Sequence, residues 1–345
     1  MAVVMGAHSS VFSTNRESFF GVRYCVGELG LNVFLVLSAY LLAKGFFQDT
    51  DGFRIGKFYV NRLMRLLPAY YAAFPVTILL NAIHDIPPKS YYVMLQNFSF
   101  YDLMYIPVTW SLCIEEWMYA ALMLLFFVLS LNKKWDRGKV FLAAALFLGV
   151  LAMVLRARAL IMEPMIDYDY PIRKQTLLRM DTFAVGILAA WLEARKQALY
   201  EKLMKSRVVF VLWLCCLSGS MFLWYRLLGG AQNPFAKWLI YLSLPLSALY
   251  LILKVKDLKL WEAPVLQKAK KPLAVASALT YPCYLVHFQF YIYVSDYCNN
   301  NLIMGRVGPF LLTLLAVIGT AALIHFALEV PMNDLRRKLV SKMHM

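Results

Sequence analysis

Residues 138–156 read GKVFLAAALFLGVLAMVLR, an uncharged run from Val140 to Leu155 closed by Lys139 and Arg156. A helix rises about 1.5 Å per residue, so about 20 such residues cross the hydrocarbon core of a bilayer. Runs of the same kind fall at 29–47, 66–83, 108–131, 177–194, 207–225, 236–253, 273–294 and 308–330. The segment 90–106, SYYVMLQNFSFYDLMYI, is short, polar and aromatic, and it reads as interfacial or re-entrant. The opening stretch MAVVMGAH is too short to span and resembles the second half of a helix. The expected fold is therefore an all-α, polytopic transmembrane helix bundle of about nine full spans plus an N-terminal half-span, a ten-span pattern.

Composition points the same way. Of 345 residues, 61% are hydrophobic and 16% charged, where soluble domains carry about 45–50% and 25%. Mean hydropathy is +0.60. These values exclude a soluble globular enzyme, a disordered tail and a fibrous protein. Six cysteines lie mostly inside apolar runs without metal-type spacing, so neither a disulfide framework nor a metal site is expected. With no internal repeat or linker-like tract, residues 1–345 read as one membrane domain.

The net charge of +15 arises from 35 Lys and Arg against 20 Asp and Glu, with the basic residues in short loops between spans. That placement sets orientation and gives no support to nucleic-acid binding. Alternate loops plus the C-terminal tail collect 24 of the basic residues and the opposite side 11. By the positive-inside rule the richer side, with the C-terminus, is cytoplasmic. One outer loop breaks the rule, carrying Arg156, Arg158, Arg173, Lys174 and Arg179 beside Glu163, Asp167 and Asp169. With Tyr168 and Tyr170 as stacking surfaces, it would suit a sugar or anionic acceptor, its own acids neutralising part of the charge.

Ionisable residues inside spans are costly and mark candidate sites. His8 stands in the N-terminal stub. Glu115 and Glu116 lie in TWSLCIEEWMY, a few residues into a span; neighbours on a helix point about 100° apart, so at most one is expected to face a given partner. Arg62 and Arg65, in FYVNRLMRLLPAYYAAF, share a helical face and could form a bidentate phosphate fork. His287, in LTYPCYLVHFQFY, sits mid-span, with Pro282 expected to break the first turns of that helix. His325 and Glu329 in HFALEVP can pair across one turn.

The order GELGLNVFLVLSAYLL, RLMRLLPAYY, WSLCIEEWMY, LLRMDTFAVGILAA, YPCYLVH and HFALEVP resembles the acyltransferase 3 family of integral membrane acyltransferases, over nearly the whole chain. Gly30, Phe34, Leu37 and Ser38 follow its second-span motif, with Ala39 in place of a glycine. Arg62, Arg65 and Pro68 match its basic motif, and Trp110, Ser111, Leu112, Glu115, Glu116 and Tyr119 match its Trp-Ser-Leu motif. Arg179 and Asp181, leading to Gly186, resemble its Arg…Gly motif, and Tyr281 opens the segment with His287. His8 and Phe12 match the later part of the family's first span; the arginine expected near the start of that span has no counterpart, so the first span reads as truncated.

The resemblance implies acyl transfer, of an acetyl group by preference, from acyl-coenzyme A to a hydroxyl of a sugar or surface glycan, as in polysaccharide O-acetylation. It implies no bound cofactor. The expected partners are acyl-coenzyme A, the hydroxyl acceptor and the lipid bilayer, and the expected location is a bacterial inner membrane. His8 would be the catalytic base, with Glu116, Glu115 and His287 in the catalytic group. Arg62 and Arg65 would hold the donor. Trp110, Ser111, Tyr119, Arg173, Lys174, Arg179, Asp181 and Tyr281 would serve the acceptor or the surrounding framework. The alternatives are a transporter or flippase for a lipid-linked glycan, and an inactive truncated acyltransferase.

Overall fold

The computed structural model describes residues 19–81, 87–98, 105–164, 169–228, 233–258, 264–300 and 307–342. Helix dominates these residues, with no strand among them. The long helices are α1 (Phe19–Gln48), α2 (Ile55–Asn81), α4 (Trp110–Ser130), α5 (Arg137–Met162), α6 (Asp181–Arg195), α8 (Arg207–Leu228), α9 (Pro234–Asp257), α11 (Lys270–Asn300) and α12 (Val307–Ile324). The shorter ones are α3 (Lys89–Tyr92), α7 (Gln197–Lys205), α10 (Pro264–Lys268) and α13 (Val330–Lys342), the last joined to α12 by a π-turn at His325–Glu329.

Among the described residues, seven helices are long and apolar enough to cross a membrane. Two other expected spans differ. α6 has 15 residues, about 22 Å of helix, and α11 has 31 residues but a more polar composition. α11 also runs unbroken through Pro282, correcting the expected break. Proline removes one hydrogen bond and crowds one carbonyl, and a helix packed among neighbours absorbs both. Large apolar side chains such as Leu79, Leu124, Phe147, Leu315 and Leu323 point outward, as the lipid-facing surface of a membrane bundle requires.

Packing divides the bundle into lobes that meet at α4. One face of α4, through Ile114, Met118, Leu122 and Phe126, packs with α1, α5 and α6. Another, through Leu112 and Cys113, packs with α2, α11, α12 and the 91–108 segment. Small residues bring the first lobe together. A Cβ on Gly186 of α6 would sit 2.5 Å from the Val36 carbonyl oxygen and 3.0 Å from the Ala39 Cβ of α1. Gly149 likewise lets α5 approach Ala184 of α6.

Among its described residues, the segment read as re-entrant contains no spanning helix. It comprises α3 and 3₁₀ turns at Gln96–Phe98 and Pro107–Thr109. Tyr91, Gln96, Ile106 and Thr109 are fully buried. Met94 adopts φ 55°, a conformation uncommon for a side chain of this kind, and its carbonyl accepts from Cys113 Sγ and Trp117 Nε1, each at 2.7 Å.

Candidate active site

The seam between the lobes holds the acids of α4. Arg62 of α2 donates through Nε to Glu116 Oε1 at 2.6 Å, and its Nη2 lies 2.6 Å from the same oxygen and 2.8 Å from Glu115 Oε1. Both neighbouring acids therefore share one guanidinium, which corrects the expectation that at most one could face a given partner. The planar fork lies between the two carboxylates and reaches both, something a point-like ammonium could not do as well. The guanidinium also lies over the Tyr119 ring, 4.1 Å from its centre.

Glu115 is further held by Ser38 of α1 and by Tyr119 OH at 3.1 Å, and Ser38 Oγ is 2.7 Å from Tyr119 OH. Glu116 is less committed. No described side chain donates to its Oε2, which leaves that oxygen uncommitted among the described residues. Arg65 is exposed on α2 rather than turned to the acids; the two arginines expected to form one fork have different surroundings.

Helix rise gives this level a place in the bundle. From Arg62, α2 climbs about 28 Å to Asn81, whereas from Glu116 α4 climbs only about 9 Å to Trp110. The described parts of the intervening chain, 87–98 and 105–109, pack into the bundle before α4 begins. That packing brings Trp110 and Ser111 against α11. Tyr284 OH donates to Val108 O at 2.5 Å and lies 2.6 Å from Ser111 Oγ, so the serine donates to the phenol. His287 is fully buried. Its Nδ1 is 2.7 Å from Tyr284 O, and since a carbonyl only accepts, Nδ1 carries a proton. Tyr281 OH donates to Leu66 O at 3.1 Å. His325 and Glu329 pair at 2.6 Å, as their spacing predicts.

A second polar cluster lies near the start of α1. Glu28 pairs with Arg173 at 3.1 Å and with Arg179 at 3.4 Å, and Arg179 also reaches Asn32 Oδ1 at 3.3 Å. Arg156 pairs with Asp181 and donates to Leu178 O. Arg173 lies across Trp110, 4.8 Å from its ring, and the Asn97 amide donates to the carbonyls of Trp110 and Lys174. These contacts set the basic residues of the outer loop into the bundle. α5 extends to Met162, Arg156 and Arg179 are fully buried, Lys174 is nearly so, and the described neutralising partners are Glu28 and Asp181. Buried guanidiniums need such partners.

Glu28 and its turn-mate Asn32 went unremarked in the sequence, although an acid in an apolar stretch with a polar residue four positions on is a readable signal. His8, Phe12, Asp167 and Tyr168, and the side chains of Asp169 and Tyr170, lie outside the described residues. Among the described residues no three metal-ligating side chains converge; the side chains able to hold a ligand are arginines and hydroxyls.

Comparison with known proteins matches this arrangement of motifs. The family model for the acyltransferase domain of the acyltransferase 3 type covers residues 1–326. The chain belongs to the acyltransferase 3 family. A protein of Staphylococcus aureus (strain COL), named as a proposed O-acetyltransferase, is 26% identical over 303 residues, 79% of this chain and 47% of its own. A counterpart from strain MRSA252 gives the same figures. A protein of Acidianus two-tailed virus, named as a proposed acetyltransferase, is 28% identical over 128 residues, 36% of each chain. The chain thus spans about half the length of the Staphylococcus relatives. No solved structure matches it.

Proposed function

We propose that this acyltransferase 3 family member is an integral membrane O-acyltransferase that moves an acyl group, by preference acetyl, from acyl-coenzyme A to a hydroxyl of a sugar or surface glycan. Family membership and the names of the relatives support O-acyl transfer. The observation on the molecule that carries the reading is the uncommitted Oε2 of Glu116 in the seam between α1, α2 and α4.

In this reading His8 is the base. Its imidazole takes the acceptor's proton as the hydroxyl oxygen attacks the thioester carbonyl; the C–S bond then breaks, and the imidazolium returns the proton to the departing thiolate. Glu116 orients the ring and stabilises its charged form, the role a carboxylate plays beside a catalytic histidine. Because Arg62 is committed to the acids, it positions Glu116 and Glu115, and Arg65 is left to meet the donor's phosphate. Ser111, Tyr281 and His287 belong to the lobe facing these acids. Trp110 with Arg173 across its ring marks the acceptor side. The charge bias supports a cytoplasmic C-terminal end, the side from which acyl-coenzyme A would arrive.

The test is transfer of labelled acetyl from acetyl-coenzyme A by the purified chain, compared with His8→Ala. Loss of about 10²-fold or more is expected for removal of the base. Full turnover by that variant removes His8 from the mechanism.

A further inference from the structure

A cavity of about 610 Å³ lies where α6 ends, between α7 and the last turn of α9. Tyr200 and Met204 of α7 are buried along its wall, and Lys205, Lys254 and Lys256 bring three ammonium groups to it. Its two acids are already engaged. Glu193 accepts from Lys256 Nζ at 2.5 Å and from Tyr40 OH, with Lys44 at 3.8 Å. Glu201 accepts from Gln197 at 3.1 Å and from Lys205 at 3.3 Å. Lys254 has no acidic partner among the described residues. Its Nζ donates to Met204 O at 2.5 Å, in the last turn of α7, and lies 5.5 Å from the Tyr250 ring. An ammonium carries three N–H donors, and one carbonyl takes one of them.

The depth of the cavity follows from its neighbours. Leu199 and Leu203, one turn apart on the other side of α7, are exposed, and α8, which starts at Arg207, presents Val208, Phe210 and Val211 outward. A short amphipathic helix with leucines outward, beside a spanning helix, lies in the plane of the membrane interface. The connections around α7 and after α9 also belong to the set of loops richer in Lys and Arg, the side that faces the anionic leaflet. The uncompensated ammonium of Lys254 thus stands at the level of lipid phosphates.

We propose that this cavity binds the phosphate of an anionic phospholipid, held by Lys254 of α9 and Lys205 of α7, with Tyr200 and Met204 against the glycerol portion. The Glu193 contacts to Lys256 and Tyr40 tie α6, α9 and α1 together and fix the wall formed by α6 and α9. The site is independent of the acyl-transfer reading.

The full chain in phosphatidylcholine nanodiscs would be followed by melting temperature as phosphatidylglycerol replaces phosphatidylcholine stepwise, and in a second arm as inorganic phosphate is added. Phosphatidylglycerol is expected to raise the melting temperature, and inorganic phosphate to leave it unchanged. Lys254→Gln, whose amide can still donate to Met204 O, should require about tenfold more phosphatidylglycerol for the same rise, in line with loss of a charge-assisted contact. Lys205→Gln, at a side chain 80% exposed and therefore harmless to folding, should act in the same direction. Lys202→Gln, on α7 but outside the cavity, should titrate like the parent. Equal weakening by all three variants would show a diffuse attraction of the basic surface and overturn the site. So would an unchanged titration in Lys254→Gln and Lys205→Gln, which would leave Lys254 as a cap for the end of α7. Stabilisation by inorganic phosphate equal to that by phosphatidylglycerol would overturn the lipid as ligand.

Discussion

Arg62 aims two donors, Nε and Nη2, at a single oxygen of Glu116, Oε1, each at 2.6 Å. Oε2 receives neither. Since the same Nη2 also lies 2.8 Å from Glu115, one guanidinium serves two carboxyl groups. Glu115 is tied down by Ser38 and Tyr119 as well, so the two adjacent acids have separable jobs. Glu115 builds the seam, and Glu116 faces whatever occupies it.

Glu116→Gln keeps the shape of the side chain and one acceptor for Arg62 while removing the charge. Acetyl transfer by this variant should fall about 10²-fold or more with little change in melting temperature. Glu115→Gln should show the opposite balance, a lower melting temperature with a smaller loss of rate per folded molecule.

Removal of Arg62 leaves two neighbouring carboxylates buried without a cation. Arg62→Ala should therefore cost about 3–5 kcal/mol of stability, the range for breaking a buried pair. Arg62→Lys should recover only part of it, lacking the planar fork. Arg65→Ala, at an exposed position, should leave the melting temperature nearly unchanged and weaken donor binding by about 1.5–3 kcal/mol. Denaturation curves in detergent beside donor titrations separate the two.

The apolar runs made most of the helices legible, because a residue facing lipid needs nothing but an apolar side chain, as the 138–156 stretch shows. The acids of α4 were legible for the converse reason, since charge in such a run demands a partner. What spacing could not supply was the identity of the partners. The 100° rule for Glu115 and Glu116 describes where Cα–Cβ bonds point, whereas Arg62 approaches with a long flexible stem and a wide fork. Glu28 and Arg173 are 145 positions apart, and only the packing of α1 against the 169–179 segment joins them. The length of α5 hid Arg156 in what looked like a loop, because a buried arginine and a surface one look alike in a sequence.

Gly186 tests the packing of α6 on α1. A side chain there meets the Val36 carbonyl oxygen at 2.5 Å from its first carbon, and a backbone atom cannot swing aside. Gly186→Leu should lower stability by about 1–3 kcal/mol or more, whereas Gly219→Ala, where an added Cβ meets nothing within 4 Å, should be neutral or slightly stabilising. Thermal melting of both variants in the same detergent provides the comparison.

The cluster around Glu28 supports an acceptor-side prediction. Arg173→Glu would set a second carboxylate against Glu28, at present 3.1 Å away from the guanidinium, and would uncover Trp110. The KM for the glycan acceptor should rise while that for the donor stays constant. Lys174→Glu should instead lower the yield of folded protein, because it buries a carboxylate at a nearly inaccessible position.

The central claim, that this chain moves an acyl group from acyl-coenzyme A to a hydroxyl with Glu116 at the reacting centre, is tested most directly by one paired measurement. Purified parent and Glu116→Gln proteins, matched for melting temperature, would be given acetyl-coenzyme A labelled in the acetyl group together with a sugar-hydroxyl acceptor. The account predicts labelled O-acetyl ester with the parent and about 10²-fold less with the variant. Equal rates for the two proteins, or no ester from the parent while acetyl-coenzyme A remains intact, would contradict it.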